Sequence, residues 1–266
     1  MIDVYKMIQK EIDNGYNDAN AQAKVCQDLI LKAISLSSLN RNVTIKGGVV
    51  MRSKTRNIRR ATQDIDLDFI RYSLSNEAID AFIDKINCLE GIVISRTGEI
   101  RDLKQQDYHG KRIYLQISDS QGFSMKTKLD VGVHNRIDIE QEEYCFEIAY
   151  DSEGASLLVN TGEQMIVEKL RSLLILGPFS TRYKDVFDLY FLCRNIDRGK
   201  LGEYLNSCIF LDRRMRERNI HEVSERIHSV FRNERFRHNL ASKEANWSGE
   251  NVDEVLRAIQ DFLDTF

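Results

Sequence analysis

Residues 63–70 read QDIDLDFI, and this stretch decides the fold class. Polar and apolar residues alternate strictly, which is typical of a β-strand with one buried face. Three aspartates therefore share one side of the strand, and these are Asp64, Asp66 and Asp68. Like charges about 6–7 Å apart repel each other unless they are solvated or bound to a cation. The aspartates thus lie either on a solvent-exposed face of a sheet or in a site for Mg²⁺, which prefers hard oxygen ligands.

A basic segment precedes the acidic strand. Residues 46–63 contain six basic side chains and no acidic one. They are Lys46, Arg52, Lys54, Arg56, Arg59 and Arg60. Gly47 and Gly48 follow a short β-like VTI at 43–45, so the backbone there can approach a phosphate closely. The segment suits a polyanion, and the alternative is a solvated basic loop.

A second strand follows the acidic one. Residues 123–133 read FSMKTKLDVGV, and the alternation places Lys126, Lys128 and Asp130 on one face. If this strand lies beside the acidic one, Asp130 joins the aspartates. Two metal ions about 3.5–4 Å apart could then be bridged by Asp64 and Asp66, with Asp130 holding one of them. The alternative is an edge strand with solvated charges.

Two helices are predicted around Pro178, the chain's single proline. TGEQMIVEKLRSLLILGP at 161–178 begins with a capping pattern and places Lys169 beside an apolar stripe. STRYKDVFDLYFL at 180–192 predicts a second helix starting after Ser180 or Thr181, with Lys184, Asp185 and Asp188 on its polar side. Both features also have an explanation without function: Lys169 can extend its ammonium to solvent, and Lys184 and Asp188 can form a local ion pair. Periodicity alone does not distinguish these explanations from a functional role.

The order of elements predicts an α+β fold. Helices are expected in the first forty residues and from about 75 to 89, and strands at 92–101, 111–118, 123–133 and 144–150. The remainder after Asn160 is expected to be helical. We place a boundary near Tyr150, between a mixed sheet with N-terminal helices at 1–150 and a helical domain at 151–266.

Composition excludes several classes of protein. Lys and Arg number 38 against 41 Asp and Glu, which excludes a histone-like basic protein. The five cysteines are scattered, without the spacing of a zinc site or a disulfide framework. Neither a signal peptide nor an apolar run long enough to span a membrane is present, so we expect a cytoplasmic protein.

Together these segments resemble the AbiEii/AbiGii toxin family of minimal nucleotidyltransferases. The G-G…D-x-D pair is shared by the polymerase-β-like superfamily, whereas EQMIVEKLRSLL around Lys169 followed by RYKDVFDLYFL is more specific. The resemblance implies a polymerase-β-like mixed sheet with a helical C-terminal domain. It also implies a bacterial toxin that transfers a nucleotide from an NTP to RNA, in some members a tRNA 3′ end, and that has a cognate antitoxin.

The resemblance also assigns residues. Asp64 and Asp66 become ligands of Mg²⁺ or Mn²⁺, with Asp130 as the third carboxylate. Lys169 becomes a phosphate-contacting lysine, and Asp185 or Asp188 the acidic residue of the last motif. The expected nucleotide-binding residues are Lys46, Gly47, Gly48, Lys128 and Lys184.

Val49 is a departure from the family pattern, which has Ser or Thr after the glycines. A degenerate protein that only binds nucleotide, RNA or antitoxin is therefore one alternative, and a transferase acting on a protein or an aminoglycoside is another. Basic helices are expected near the C-terminus, where they would contact an RNA backbone. Their arginines are Arg213, Arg214, Arg216, Arg218, Arg232, Arg235 and Arg237.

Overall fold

The acidic strand lies in the middle of the sheet. The computed structural model of the chain describes residues 2–103, 110–134 and 139–266. Within them, strand β2 (Ile65–Phe69) has a parallel neighbour, β6 (Ser124–Val133), and an antiparallel neighbour, β1 (Val43–Lys46). Ile65 and Leu67 of β2 are fully buried, as the alternation predicts.

Five further strands extend the sheet on both sides. They are β3 (Ile92–Arg96), β4 (Arg101–Leu103), β5 (Gly110–Asp119), β7 (Glu142–Ile148) and β8 (Asp151–Val159). The order across the eight-stranded sheet is β3-β5-β6-β2-β1-β8-β7, with β4 also paired to β5. The pairs β1–β8 and β2–β6 are parallel and the others antiparallel. The sheet is therefore mixed, as predicted.

Four helices accompany the sheet, namely α1 (Val4–Asp13), α2 (Asp18–Leu36), α3 (Gly47–Thr55) and α4 (Asn76–Ile86). Helix α2 packs across β6, β7 and β8, and its Leu29, Ile30 and Ile34 are fully buried. The side chain of Asn17 caps α2 by accepting a hydrogen bond from the backbone N–H of Asn20, which satisfies a donor at the helix start. Both N-terminal helices are predicted by their apolar spacing.

The chain divides into two units, Met1–Asn160 and Thr161–Phe266. The division lies beyond the boundary expected near Tyr150, because Asp151–Val159 forms β8 and pairs with both β1 and β7. Alternation does not predict this strand, since Gly154 interrupts the pattern with a φ of +71°. The predicted strand at 92–101 is likewise two strands, β3 and β4, separated by a turn at Gly98.

The second unit consists of helices in all its regular elements, as expected. They are α5 (Gly162–Leu176), α6 (Tyr183–Leu192), α7 (Arg198–Leu205), α8 (Ile220–Phe231), α9 (Glu234–Leu240) and α10 (Val252–Asp264), with a π-helical turn at Asn206–Phe210. The Thr161 side chain caps α5, accepting from the N–H of Gln164, as predicted. Gly177–Phe179 forms a 3-10 turn, and helix α6 starts at Tyr183, slightly later than predicted.

None of the helices within the described residues has both the length and the apolar composition needed to cross a lipid bilayer.

Candidate active site

Two of the predicted carboxylates are neighbours across two parallel strands. Asp66 of β2 and Asp130 of β6 are register partners. Paired strands lie about 4.8 Å apart, so their side chains leave the sheet next to each other. The sequence argument makes Asp130 part of the site only if these two strands are adjacent, and the structure pairs them directly.

Gly47 brings the backbone against Asp66. It is the first residue of α3 and has a φ of +68°. A Cβ at this position would lie 2.5 Å from Oδ2 of Asp66, so the carboxylate occupies space that any other residue would fill. At Gly48, a Cβ would lie 2.5 Å from Oγ1 of Thr62. A Cβ at either position would therefore force the neighbouring side chain to move, whereas glycine lets the backbone come this close.

The start of α3 offers backbone donors near this carboxylate. Lys46 is the N-cap residue, and its side chain makes no capping hydrogen bond. The first N–H groups of a helix have no partner within the helix, and the helix dipole favours negative charge there. The segment can thus receive a phosphate oxygen.

The side chain of Val49 is fully buried in the first unit. The residue that departs from the family pattern therefore packs in the core of this unit.

Two aspartates of the QDIDLDFI segment, Asp64 and Asp68, each have a lysine partner. Lys46 Nζ lies 2.6 Å from Oδ1 of Asp68, a residue that is only 5% exposed. Lys128 Nζ lies 2.8 Å from Oδ1 of Asp64, with both side chains about one third exposed. Lys46 and Lys128, expected to bind nucleotide, thus lie against the acidic strand, which explains how its like charges coexist.

Asp130 is held by an arginine that sequence reasoning missed. Arg112 of β5 donates from Nε to Oδ1 and from Nη2 to Oδ2 of Asp130, each at 2.7 Å. The hydrogen bond to Asp130 raises the pKa of the Arg112 guanidinium. The strand pattern of β5 does contain Arg112 on the same face as Tyr114, but only the cross-strand register reveals its partner.

The donor chemistry of this cluster fits a hard divalent cation. Two carboxylates lie side by side, and Gly47 leaves room for the oxygens of Asp66. Within the described ranges no three Asp, Glu, His or Cys side chains form a ready-made metal site. Lys128 and Arg112 instead neutralise Asp64 and Asp130, so a metal ion would have to compete with these two side chains.

The second unit contains a separate buried charge cluster. Lys169 of α5 donates to Oδ1 of Asp185 at 2.7 Å and to Oδ2 of Asp188 at 2.8 Å, both on α6. Asp188 is fully buried, and its Oδ1 accepts from Nε1 of Trp247 at 3.1 Å. Helices α5 and α6 are therefore joined by the contacts of Lys169 with the two aspartates. These contacts explain why an ammonium group can lie beside an apolar stripe. No sequence pattern assigns Trp247 this role.

The C-terminal arginines match the expectation only in part, because Arg235 and Arg237 lie on helix α9. Residues 211–219 do not form the predicted basic helix. Arg214 pairs with Asp212, and Arg218 donates to the carbonyl oxygens of Phe210, Asp212 and Met215. Within the described residues, Arg213 and Arg216 are exposed and have no ion-pair partner. Arg237 pairs with Asp253, while Arg232 and Arg235 are exposed.

A family model described as the nucleotidyl transferase AbiEii toxin of a type IV toxin–antitoxin system matches residues 29–264. The chain belongs to the AbiEii family. It is thus a nucleotidyltransferase of a toxin family, as the motifs around Gly47, Asp64–Asp66 and Lys169 indicate. Membership implies a nucleotide substrate and an antitoxin.

Solved structures with a similar arrangement are distant from this AbiEii protein. A nucleotidyltransferase-like antigenic protein from Paracoccidioides brasiliensis has a TM-score of 0.44 and 13% identity, over 87% of this chain and 92% of that one. The antibiotic-resistance factor ANT(2'')-Ia has a TM-score of 0.42 and 16% identity, over 70% and 89%. Its complex with adenylyl-2''-tobramycin has a TM-score of 0.38 and 18% identity, over 68% and 93%. No curated protein matches the sequence. The family assignment rests on the family model alone.

Proposed function

We propose that this AbiEii protein transfers a nucleoside monophosphate from an NTP to a hydroxyl group of RNA, with Mg²⁺ as cofactor. The observation that supports this most directly is the register of Asp66 with Asp130 beside the backbone of Gly47. Carboxylates on adjacent strands next to a close backbone segment suit a metal-bound triphosphate. Asp64, Asp66 and Asp130 would hold the ion, which would neutralise charge on the triphosphate.

The chain's own groups would do most of the positioning. The N–H groups at the start of α3 would bind phosphate oxygens, and Lys46 and Lys128 would add positive charge. In the second unit, Lys184 and Lys169, the latter oriented by Asp185 and Asp188, remain proposed phosphate-binding residues. The acceptor hydroxyl loses its proton to solvent, its oxygen bonds to the α-phosphorus as the α–β phosphoanhydride bond breaks, and pyrophosphate leaves. Fixed orientation of the two reactants supplies much of the rate in such a transfer.

Exposed arginines support RNA as the acceptor. Arg213 and Arg216 are solvent-exposed and unpaired within the described residues, so they can contact backbone phosphates. Reversing both charges should weaken RNA binding for all sequences and reduce the salt slope by about 1 for each phosphate that the variant no longer neutralises. Arg214 is the matched control, because Asp212 already neutralises it.

The decisive experiment is a transfer assay. Each α-labelled NTP is incubated with the protein, Mg²⁺ and total RNA, and label in RNA is measured after electrophoresis. Asp66→Asn keeps the shape of the side chain and removes its charge, so label should fall by at least about a hundredfold, as for loss of a charge-stabilising group. Asp80→Asn is the control, since Asp80 lies on α4 and pairs with Arg96.

The other outcomes assign the alternatives. Label on protein or on a small molecule, with none on RNA, would identify a different acceptor. NTP binding without any transfer would identify a degenerate enzyme. Equal transfer by wild type and Asp66→Asn would remove the acidic strand from the mechanism.

A further inference from the structure

Arg112 occupies both oxygens of Asp130. The two residues are register partners on β5 and β6, and the two hydrogen bonds are each 2.7 Å long. The side chain of Asp130 is 8% exposed. Bidentate contacts of this kind are among the stronger polar interactions in proteins, because both partners are charged and their geometries match.

This contact conflicts with metal binding. A carboxylate whose two oxygens both accept from one guanidinium cannot also ligate a cation without losing at least one of those bonds. A divalent ion beside Asp66 and Asp130 would also repel the guanidinium charge. The ion and Arg112 therefore compete for Asp130.

The Arg112 side chain is partly accessible to solvent. It is 30% exposed, so a ligand can reach it from outside the sheet. Its register partner on β4 is Arg101, whose guanidinium lies 5.4 Å from the ring centre of Tyr114. Lys128 on β6 is the register partner of Tyr114. Arg101 and Lys128 thus lie on the same face of the sheet as Arg112, so an anion bound there would meet further cations.

Phosphate is the anion that best fits a released guanidinium. Its oxygens match the paired N–H groups of arginine as well as a carboxylate does. A triphosphate that arrives with the metal would supply a new partner at the moment Asp130 is taken by the ion. Arg112 would then keep a charged partner in both states.

We propose that Arg112 exchanges ligands during the reaction. It holds Asp130 while the divalent cation is absent, is displaced when the cation binds, and then contacts a phosphate oxygen of the triphosphate. This inference rests on the proposed metal-dependent function. It makes Arg112 a residue that sets metal affinity and binds substrate.

The test measures two affinities that should change in opposite directions. Mn²⁺ binding to the full chain without nucleotide is followed by the electron paramagnetic resonance signal of the free ion. Arg112→Met should bind Mn²⁺ about 10- to 100-fold more tightly, because a charge-assisted contact of typical strength no longer competes. Inorganic tripolyphosphate is then titrated calorimetrically at saturating Mn²⁺, and Arg112→Met should bind it at least about tenfold more weakly.

Two further variants separate this mechanism from a structural role. Arg96→Met removes the Arg96–Asp80 pair, which has the same 2.7 Å Nε contact on β3 of the same sheet, and should change neither affinity. Arg112→Lys keeps the charge without the paired N–H groups, so both of its affinities should lie between those of wild type and Arg112→Met.

A loss of both affinities in Arg112→Met, or no change in either, would overturn the proposal. Its failure differs from failure of the proposed function. If the Mn²⁺ and tripolyphosphate affinities of Arg112→Met shift in opposite directions but the wild type transfers no nucleotide, the ligand exchange stands and the proposed function fails. If the wild type transfers nucleotide but the two affinities do not shift in opposite directions, the function stands and the exchange fails.

Discussion

Replacing Lys169 by Met should destabilise the second unit substantially. Lys169 is almost buried, and its ammonium donates to two carboxylates of α6. Methionine keeps the length of the side chain but removes the ammonium that donates to the fully buried carboxylate of Asp188. Breaking a buried pair by removing one partner costs about 3–5 kcal/mol.

The structure places the expected cost at the lower end of that range. Trp247 continues to donate to Oδ1 of Asp188, and the side chain of Asp185 is 15% exposed, so water can hydrate the Asp185 carboxylate in place of the ammonium. We therefore expect about 3 kcal/mol. At about 4 °C or more per kcal/mol for a unit of this size, the melting temperature should fall by about 12 °C or more.

The chain's single tryptophan makes the measurement specific. Trp247 is 4% exposed and contacts Asp188, so its emission reports on the second unit. Thermal unfolding is followed by the red shift of this emission. Lys243→Met, which removes an exposed lysine of the same unit, is the control and should melt with the wild type.

A double mutant tests the reasoning directly. Adding Asp188→Asn to Lys169→Met removes the buried negative charge that Lys169 compensates, so the double mutant should be more stable than Lys169→Met alone. A melting temperature of Lys169→Met within about 2 °C of wild type would refute the buried ion pair, given the shift expected per kcal/mol. A double mutant showing the sum of both losses would refute the role of the buried charge.

Two further predictions concern the metal site and the acid stability. Gly47→Ala should lose about 1 kcal/mol of stability because of its positive φ, and it should also bind Mn²⁺ more weakly because its Cβ would strike Asp66. Gly98→Ala is the control: Gly98 has a similar φ of +75° but open space around it, so this variant should show only the stability loss. Equal Mn²⁺ binding by the two variants would contradict the close contact at Gly47. The hydrogen bond from Arg214 holds the pKa of Asp212 well below its ordinary value of 3.8. Ionised Asp212 therefore stabilises the folded state above that pH, and this stabilisation is lost as the pH falls further. Urea unfolding at pH 5 and pH 3 should show a smaller drop in unfolding free energy for Asp212→Asn than for wild type, and an equal drop would exclude this group.

The sequence predicted those features that depend on local patterns. Alternation in QDIDLDFI predicted the strand and the common face of its aspartates, and the capping pattern at Thr161 predicted the start of α5. The same motifs indicated the family that the comparison confirms. Such patterns are readable because each depends on residues a few positions apart. The roles proposed for the site residues remain predictions.

Only the tertiary structure decided which charges meet. The contacts of Arg112 with Asp130 and of Trp247 with Asp188 join residues 18 and 59 positions apart. They depend on strand register and helix packing, which one-dimensional periodicity does not contain. The motifs alone therefore indicate a nucleotidyltransferase with an acidic strand and a basic segment. How these charges pair depends on the fold, because Lys46 meets Asp68 and Lys128 meets Asp64, whereas Lys54 and Arg56 pair with glutamates of β7. Such pairs form because burying a carboxylate is costly without a nearby cation.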